Sequence, residues 1–213
     1  MQCGKTMARR SDHSRDELYD LAMNAARDIV RREGMAALTA RSLATAIGYS
    51  PGTLYNLFDS LDELALHVNA ATLDALYAAV SQHGRTGNPE ADLHRMLTRY
   101  LEFLQDNPAL WAAVFSIRRP AGSVLPDWYL ATVQKLMGLV EDALAPLFDP
   151  GDGRELREAA AVLWSSLHGI CTLAQDGRLS LVSAQSVPQM AQSLIANYLA
   201  GLRAHAGGRR GHA

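Results

Sequence analysis

The chain has 213 residues, of which 48% are hydrophobic and 20% are charged, and its formal net charge is -2 at pH 7. This composition excludes a disordered chain, because disorder requires low hydrophobicity together with a high net charge. It also excludes a protein that coats nucleic acid without sequence preference, since such proteins are strongly basic. The chain has two cysteines and no apolar segment typical of a signal peptide or a membrane span. We therefore expect a cytoplasmic protein without membrane association or disulfides.

Capping residues and apolar spacing predict a chain of helices, and no run of alternating β-branched and polar residues indicates a strand. Ser14 and Glu17 have the spacing of a capping box, as do Ser60 and Glu63. Gly34 is expected to end the first helix. The predicted helices are about 14–33, 39–47, 50–58, 60–83, 89–106, 107–115, 127–147, 154–175 and 187–202.

Residues 39–58 have the layout of a helix-turn-helix, in which two short helices flank a turn centred on glycine. Gly48 suits this turn because the chain leaves the helix through a left-handed conformation, which a Cβ disfavours. The later helix would then present Thr53, Tyr55 and Asn56 outward. At the start of a recognition helix, such hydrogen-bonding side chains meet base edges and phosphates.

The charges near this segment favour a few placed contacts over bulk attraction. Arg41 is the only charged residue between 34 and 58. Residues 1–58 carry eight cations and six anions, a balance of only +2. The helix starts at Thr39 and Ser50 are open, and their backbone N–H groups suit phosphate oxygens.

Residues 38–66, LTARSLATAIGYSPGTLYNLFDSLDELAL, resemble the DNA-binding module of TetR-type repressors. The family pattern is a Thr-capped helix with an Arg two residues on, then Gly-x-Ser-x-x-Thr-[Leu/Ile]-Tyr-x-x-Phe, then x-[Ser/Asn]-Lys-x-x-Leu. The matching residues are Thr39, Arg41, Gly48, Ser50, Thr53, Leu54, Tyr55, Phe58, Ser60 and Leu64. Leu61 departs from the pattern, because the family has a phosphate-binding Lys there. This difference removes one ionic contact, although the backbone amide of Leu61 could still serve.

The resemblance implies a set of DNA-contacting residues. These are Thr39, Arg41, Ser50, Pro51, Gly52, Thr53, Tyr55, Asn56 and Leu61. Arg41 and Thr53 would approach base edges, Pro51 and Gly52 would lie against the groove, and the other polar side chains would hold phosphates. A structural alternative stays open for two of them, because Tyr55 could pack within the fold and Arg41 could be a solvated surface residue.

The remaining helices are expected to form a separate bundle that also makes a homodimer. Only two charged residues lie between 159 and 202, and helices with so few charges cannot both face water all round. TetR-type proteins dimerise through two C-terminal helices, which the resemblance places at 154–175 and 187–202. A twofold dimer sets two recognition helices about 34–36 Å apart, roughly one turn of DNA.

The segment from Trp164 to Gly169, with the Gln-Asp-Gly-Arg that ends at Arg178, resembles the Trp-His-Gly type of TetR C-terminal domain. His168 within it is either a packed, hydrogen-bonded histidine or a ligand contact. His168 and Cys171 are three residues apart, which could begin a metal site, but no third ligand accompanies them. We therefore predict no metal and no cofactor.

An effector pocket is expected inside the bundle, because aromatic and soft apolar side chains line small-molecule sites. The candidate ligand-binding residues are Tyr100, Trp111, Phe115, Trp128, Met137, Trp164 and His168. The alternative for each of them is that it belongs to the plain hydrophobic core. No buried charge is evident from the sequence, which favours an apolar or neutral effector.

The predicted organisation is an all-α chain in four parts. They are a flexible arm at 1–13, a three-helix helix-turn-helix DNA-binding domain at 14–60, a helical ligand-binding and dimerisation domain at 61–204 with a connecting helix at 61–83, and a disordered tail at 205–213. The resemblance implies a homodimeric repressor that binds an inverted-repeat double-stranded operator and is released when a small ligand shifts the connecting helix. Two alternatives are an enzyme, for which we find no catalytic motif, and a helical interaction protein or DNA binder without ligand sensing.

Overall fold

The computed structural model describes residues 13–82, 84–116 and 124–210, with side chains described as far as 205. Its helices are α1 Arg15–Glu33, α2 Ala40–Ile47, α3 Pro51–Leu54, α4 Leu61–Ser81, α5 Pro89–Asp106, α6 Pro108–Val114, α7 Asp127–Leu144, α8 Gly153–Gln175 and α9 Val187–Arg210. Short 3₁₀ turns cover Met35–Ala37, Ala145–Leu147 and Leu179–Leu181. The predicted all-α class is confirmed, and no strand occurs in these described ranges.

The chain forms two compact units, one from residues 1–72 and 107–121 and the other from 73–106 and 122–213. Helix α4 therefore contributes to both units. Helix α6, which the sequence prediction placed in the C-terminal domain, belongs to the first unit instead. The reason is its apolar face, because Leu110 and Ala113 pack into the same core as the buried side of α1.

Local capping explains where α1 begins and ends. Ser14 Oγ accepts from the Glu17 backbone N–H at 3.2 Å, and Glu17 Oε2 accepts from the Ser14 backbone N–H at 2.7 Å, which confirms the predicted capping box. Gly34 ends the helix at φ 81°, a conformation that favours glycine. Leu18, Ile29 and the alanines between them form the buried face of the helix.

The start of α4 uses its capping residues differently from the prediction. The Glu63 backbone N–H donates to Ser60 Oγ at 3.1 Å. The Glu63 carboxylate accepts from the backbone N–H of Asp59, one residue earlier than a capping box requires. Further along, the fully buried Asn69 amide donates to the Ala113 carbonyl at 3.1 Å, which joins α4 to α6 within the first unit.

The second unit packs α5, α7, α8 and α9 around an aliphatic core that includes Leu97, Leu144, Leu163 and Leu199. The Tyr198 hydroxyl donates to the Ala159 carbonyl at 2.9 Å and so ties α9 to α8. Within the described ranges, no helix is long and apolar enough to cross a membrane.

The predicted disordered tail is wrong as far as residue 210, because α9 continues to Arg210. Extending a formed helix costs far less than starting one, so α9 runs on beyond its last core contact near Leu202. Residues 211–213 lie outside the described part of the chain, as do residues 1–12 of the predicted arm.

Candidate nucleic-acid interface and effector cavity

Helices α2 and α3 meet at the predicted glycine turn. Thr39 Oγ1 accepts from the Ser42 backbone N–H at 3.0 Å, and Ser42 Oγ accepts from the Thr39 backbone N–H at 2.9 Å. Gly48 ends α2 in the left-handed conformation at φ 75° and ψ 26°. Leu54 and Phe58 are buried in the first unit's core, so the predicted arrangement of the two helices is confirmed.

Helix α3 is shorter than predicted, and Ser50 does not cap it through its side chain. The Ser50 hydroxyl instead lies 3.0 Å from the Thr53 hydroxyl. The backbone N–H groups of Leu57 and Phe58 both donate to the Leu54 carbonyl at 2.9 Å. This sharing tightens the chain into a turn after residue 54, where the prediction continued the helix to residue 58.

Most of the predicted DNA contacts are exposed on the first unit. The exposed residues are Thr39, Arg41, Ser50, Pro51, Gly52, Tyr55 and Asn56. Tyr55 is 56% exposed. It does not pack into the fold, which was the alternative for this residue. Thr53 is half-buried, and Leu61 is half-buried against the core. The exposed set gathers hydrogen-bonding groups and one cation at the starts of α2 and α3 and in the turn that follows α3.

The sequence analysis missed Tyr49 and His13. The Tyr49 hydroxyl lies 2.8 Å from His13 Nδ1, and the two ring centroids are 6.1 Å apart. This contact joins the segment that precedes α1 to the turn between α2 and α3. The two residues are 36 positions apart, so no local spacing could have paired them.

A second missed cluster joins α1 to α4. The Tyr19 hydroxyl lies 3.2 Å from His67 Nδ1, and His67 Nε2 lies 3.9 Å from Glu63 Oε1. The Phe58 ring lies beside both aromatic rings. Burial, with a contribution from nearby carboxylates, raises the pKa of Tyr19, so this hydroxyl stays protonated at neutral pH.

The second unit contains an apolar cavity with a volume of about 60 Å³. Aliphatic side chains from five helices line it, together with Tyr100 and Trp164. These two are the predicted ligand residues that the structure brings to one cavity. Its lining carries no charged side chain, which agrees with the expected apolar character of the site.

The other predicted ligand residues lie elsewhere. Trp111 is fully buried in the first unit, where its ring contacts Phe115 at 5.1 Å between centroids. Trp128 is 39% exposed on α7 and packs edge-on against Tyr129. Met137 packs against the second unit's core. Membership of a cavity depends on which helix faces meet, which aromatic composition does not reveal.

His168 contacts the cavity wall indirectly. Its ring stacks on Trp164 with centroids 5.1 Å apart and planes 7° apart, and its Nε2 lies 3.3 Å from the Thr172 hydroxyl. Burial lowers the pKa of His168, so the imidazole is neutral at physiological pH. Of the two alternatives for His168, the structure has the packed, hydrogen-bonded histidine.

Tyr100 on α5 and Cys171 on α8 are both buried in the second unit, and Tyr100 lines the cavity. Burial raises the pKa of the Tyr100 phenol and raises that of the Cys171 thiol to about 11. The thiol is therefore protonated and a poor nucleophile. The described residues contain no group of three side chains that could hold a metal ion.

The outer faces of α8 and α9 expose small, polar and apolar side chains. Val162 is 53% exposed, and other exposed positions along the two helices are Ala161, Ser165, Ser166, Gly169, Leu173, Gln192, Ser193, Ala196 and Ala200. None of these side chains is charged. Such a face fits close approach by another helix better than permanent contact with water.

The fold and the exposed helix-turn-helix define a DNA-binding transcriptional regulator, and comparison with protein families agrees. Residues 22–68 match the family described as bacterial regulatory proteins, tetR family. Residues 93–198 match the tetracyclin repressor-like C-terminal domain. The chain belongs to the TetR family of transcriptional regulators. The finer Trp-His-Gly assignment stays a prediction.

Individual relatives support the same family and fold. An uncharacterised HTH-type transcriptional regulator of Mycobacterium tuberculosis is 28% identical over 184 residues, which cover 86% of this chain and 80% of that protein. A protein of unknown function from Rhodococcus sp. RHA1 has a similar structure, with a TM-score of 0.70, 19% identity and coverage of 92% of this chain and 100% of that one. A tetR-family transcriptional regulator from Streptomyces coelicolor has a TM-score of 0.66 at 20% identity, covering 91% of this chain and 83% of that one.

Proposed function

We propose that the chain is a cytoplasmic homodimeric repressor that binds an inverted-repeat operator and is released by a small ligand. The observation that carries the DNA-binding part is the exposed polar surface on α2 and α3. This surface contains no carboxylate between residues 34 and 58, so nothing within the segment repels phosphates. Arg41 and Thr53 approach base edges, and Thr39, Ser50, Tyr55 and Asn56 hold the backbone.

Leu61 serves this interface through its backbone amide at the start of α4. Its side chain packs against the core and cannot make the ionic contact of a lysine. Pro51 and Gly52 allow close approach to the groove, because Gly52 has no Cβ and both residues are exposed. The interface therefore depends on hydrogen bonds more than on ionic contacts, and its affinity falls gently with salt.

Dimerisation uses the outer faces of α8 and α9. Support comes from their exposed, uncharged side chains, including Val162 and Leu173. Burying this face against its twofold copy removes apolar area from water and lets small residues approach closely. The dimer then presents two recognition helices to successive turns of an inverted repeat.

The effector enters the apolar cavity of the second unit, and the part of it that lies there is apolar and uncharged. Support comes from the lining of the cavity, which is almost entirely apolar and carries no charged side chain. Helix α4 provides the link to DNA binding, because residues 61–72 belong to the first unit and 73–81 to the second. A ligand that moves α4 changes operator affinity only if it prefers the released state. To change the ratio of released to DNA-bound conformations from 1:99 to 99:1, the ligand must bind the released conformation more tightly by about 5.5 kcal/mol.

The direct test is footprinting of the full chain on the DNA upstream of its own gene. We expect protection of an inverted repeat whose half-sites are centred about one helical turn apart. The dissociation constant should fall in the range of about 10⁻⁸–10⁻¹¹ M for a specific regulator. Uniform protection without a repeat would contradict the proposal, as would a monomer in sedimentation equilibrium at the concentration that protects DNA.

A further inference from the structure

A second opening lies beside the apolar cavity in the same unit. It is a cleft of about 210 Å³. Val80, Met96 and Leu139 line both the cavity and the cleft. These three side chains therefore stand at the junction of the two spaces, and the cleft and the cavity are neighbours.

The two spaces differ in chemistry. The cavity lining is almost entirely aliphatic, whereas the cleft is lined by three arginines, Arg85, Arg95 and Arg99, and two aspartates. The cavity alone is smaller than the engineered cavities of about 150 Å³ that hold benzene. Cavity and cleft together approach the lower end of the range of about 300–1,000 Å³ for ligand sites. A ligand of ordinary size must therefore extend from the cavity into the cleft.

Each arginine of the cleft uses one terminal nitrogen in its described contacts. Arg85 Nη1 lies 3.2 Å from Asp142 Oδ1, and Arg99 Nη1 donates to Glu102 at 2.8 Å. Arg95 Nη2 donates to Asp92 and to the Gly84 carbonyl. A guanidinium has five N–H donors. The pairs of Arg85 and Arg99 are exposed on both sides, and such pairs contribute only about 0–1 kcal/mol. An anion can therefore approach these two arginines without loss of the fold.

Asp92 does not require the full charge of Arg95. Its carboxylate is 4% exposed and accepts hydrogen bonds from the Thr86 backbone at 2.9 Å, the Thr86 hydroxyl at 2.7 Å and the Gly87 backbone at 3.2 Å. Burial opposes ionisation, but these bonds and Arg95 hold the pKa of Asp92 below its usual range. The loop before α5 thus supplies most of the hydrogen bonds to this carboxylate, and the lining of the cleft contains three guanidinium groups and two carboxylates.

We propose that the effector is an amphipathic carboxylate, with its apolar chain in the cavity and its carboxylate held by Arg85, Arg95 and Arg99. This inference rests on the proposed function, because it takes the cavity as the effector site. The sequence favours an apolar or neutral effector, and this inference replaces that prediction with an effector whose chain is apolar and whose head group is anionic. A cationic head is disfavoured, because it would lie against three guanidinium groups.

Calorimetry on the full chain without DNA tests the proposal. The probes are straight-chain carboxylates of six to twelve carbons, the alcohols and alkylammonium ions of matched length, and acetate. We expect one carboxylate to bind at least ~10-fold more tightly than its matched alcohol or ammonium, as charge-assisted bidentate pairing requires. Acetate, which lacks the chain, should bind far more weakly.

Two variants locate the head group. The double substitution Arg85→Gln with Arg99→Gln should reduce the preference for carboxylate over alcohol to within about threefold, while alcohol affinity stays unchanged. Arg154→Gln is the matched control, because Arg154 pairs with Glu158 on α8 away from the cleft. Thermal unfolding verifies that each variant is folded. Combining Arg85→Gln with Arg99→Lys, in place of Arg99→Gln, should restore part of the preference for carboxylate over alcohol.

The proposal is overturned if no carboxylate of the series binds, if carboxylate and alcohol bind equally, or if the double variant keeps the preference. These outcomes differ from a failure of the repressor function, because the assay contains no DNA. A carboxylate that binds as expected but leaves the operator occupied would contradict the effector role and leave the head-group site standing.

Discussion

The two units of this protein carry their candidate sites in different ways. In the first unit, the DNA-contacting residues lie within one short segment, 39–61, and most of them are exposed. In the second, the cavity is lined from five helices spread over residues 76–195. A surface formed by neighbouring residues follows from helix spacing and capping. An interior space exists only where separate helices pack, so the comparison separates what local patterns encode from what packing creates.

The largest expected effect tests the placement of Trp111 in the first unit. Trp111→Ala removes a fully buried ring and should cost about 3–5 kcal/mol of unfolding free energy. Trp128→Ala is the matched control, because its ring is 39% exposed, and it should cost well under half as much. Urea unfolding followed by circular dichroism measures both. Equal losses would mean that the burial of the two tryptophans is misassigned.

The next effect tests the exposed surface of the first unit. Tyr55→Ala should weaken operator binding about tenfold, which corresponds to roughly 1.4 kcal/mol, while the melting temperature stays the same. Tyr49→Phe is the control, since its hydroxyl bonds to His13 and its ring packs on the core. Fluorescence anisotropy with labelled operator reports the affinity. An unchanged affinity in Tyr55→Ala would remove this ring from the DNA contacts.

A smaller effect concerns the position at which the family has lysine. Leu61→Lys can lay its stem along the apolar surface and extend its ammonium into water. We expect the slope of log affinity against log salt to steepen by about 0.9, the value for one added phosphate contact. Leu61→Gln, which adds a polar group without charge, should leave the slope as it is. A slope that is unchanged in both variants would place this end of α4 away from DNA.

The smallest effect concerns the loop that borders the cleft of the second unit. Because the folded pKa of Asp92 is lowered, its contribution to stability is full above its unfolded pKa of about 3.9. That contribution is lost as pH falls through the folded pKa. Asp92→Asn should therefore lower stability at pH 7 and flatten the acid limb of the stability curve. Thermal unfolding between pH 2 and 7 measures this, and parallel curves for both proteins would contradict it.

Helix ends were predictable where side chains contact the backbone within a few residues. The capping box at Ser14, the Thr39 cap and the left-handed Gly48 all follow from short-range hydrogen bonding and sterics. Ser50 shows the limit of this approach, because its hydroxyl pairs with Thr53 instead of the backbone. A residue suited to two local partners does not reveal from sequence which one it takes.

The ligand residues were predictable only in part. Tyr100 and Trp164 reach the cavity, whereas Trp111 and Phe115 lie in the other unit. The sequence analysis did not predict the arginine cleft, because its lining residues come from the end of α4, the following loop, α5 and α7. Their acidic partners also made the region resemble ordinary solvated helix surface.

The amino-acid sequence alone determined the helical class, the helix-turn-helix and most of the exposed residues on it, because all of these depend on interactions within a few residues. Only the tertiary structure decided that α6 joins the first unit, that Tyr49 meets His13, and that an apolar cavity opens beside three arginines. These features join residues distant in the chain, and such pairings depend on how whole helix faces pack together.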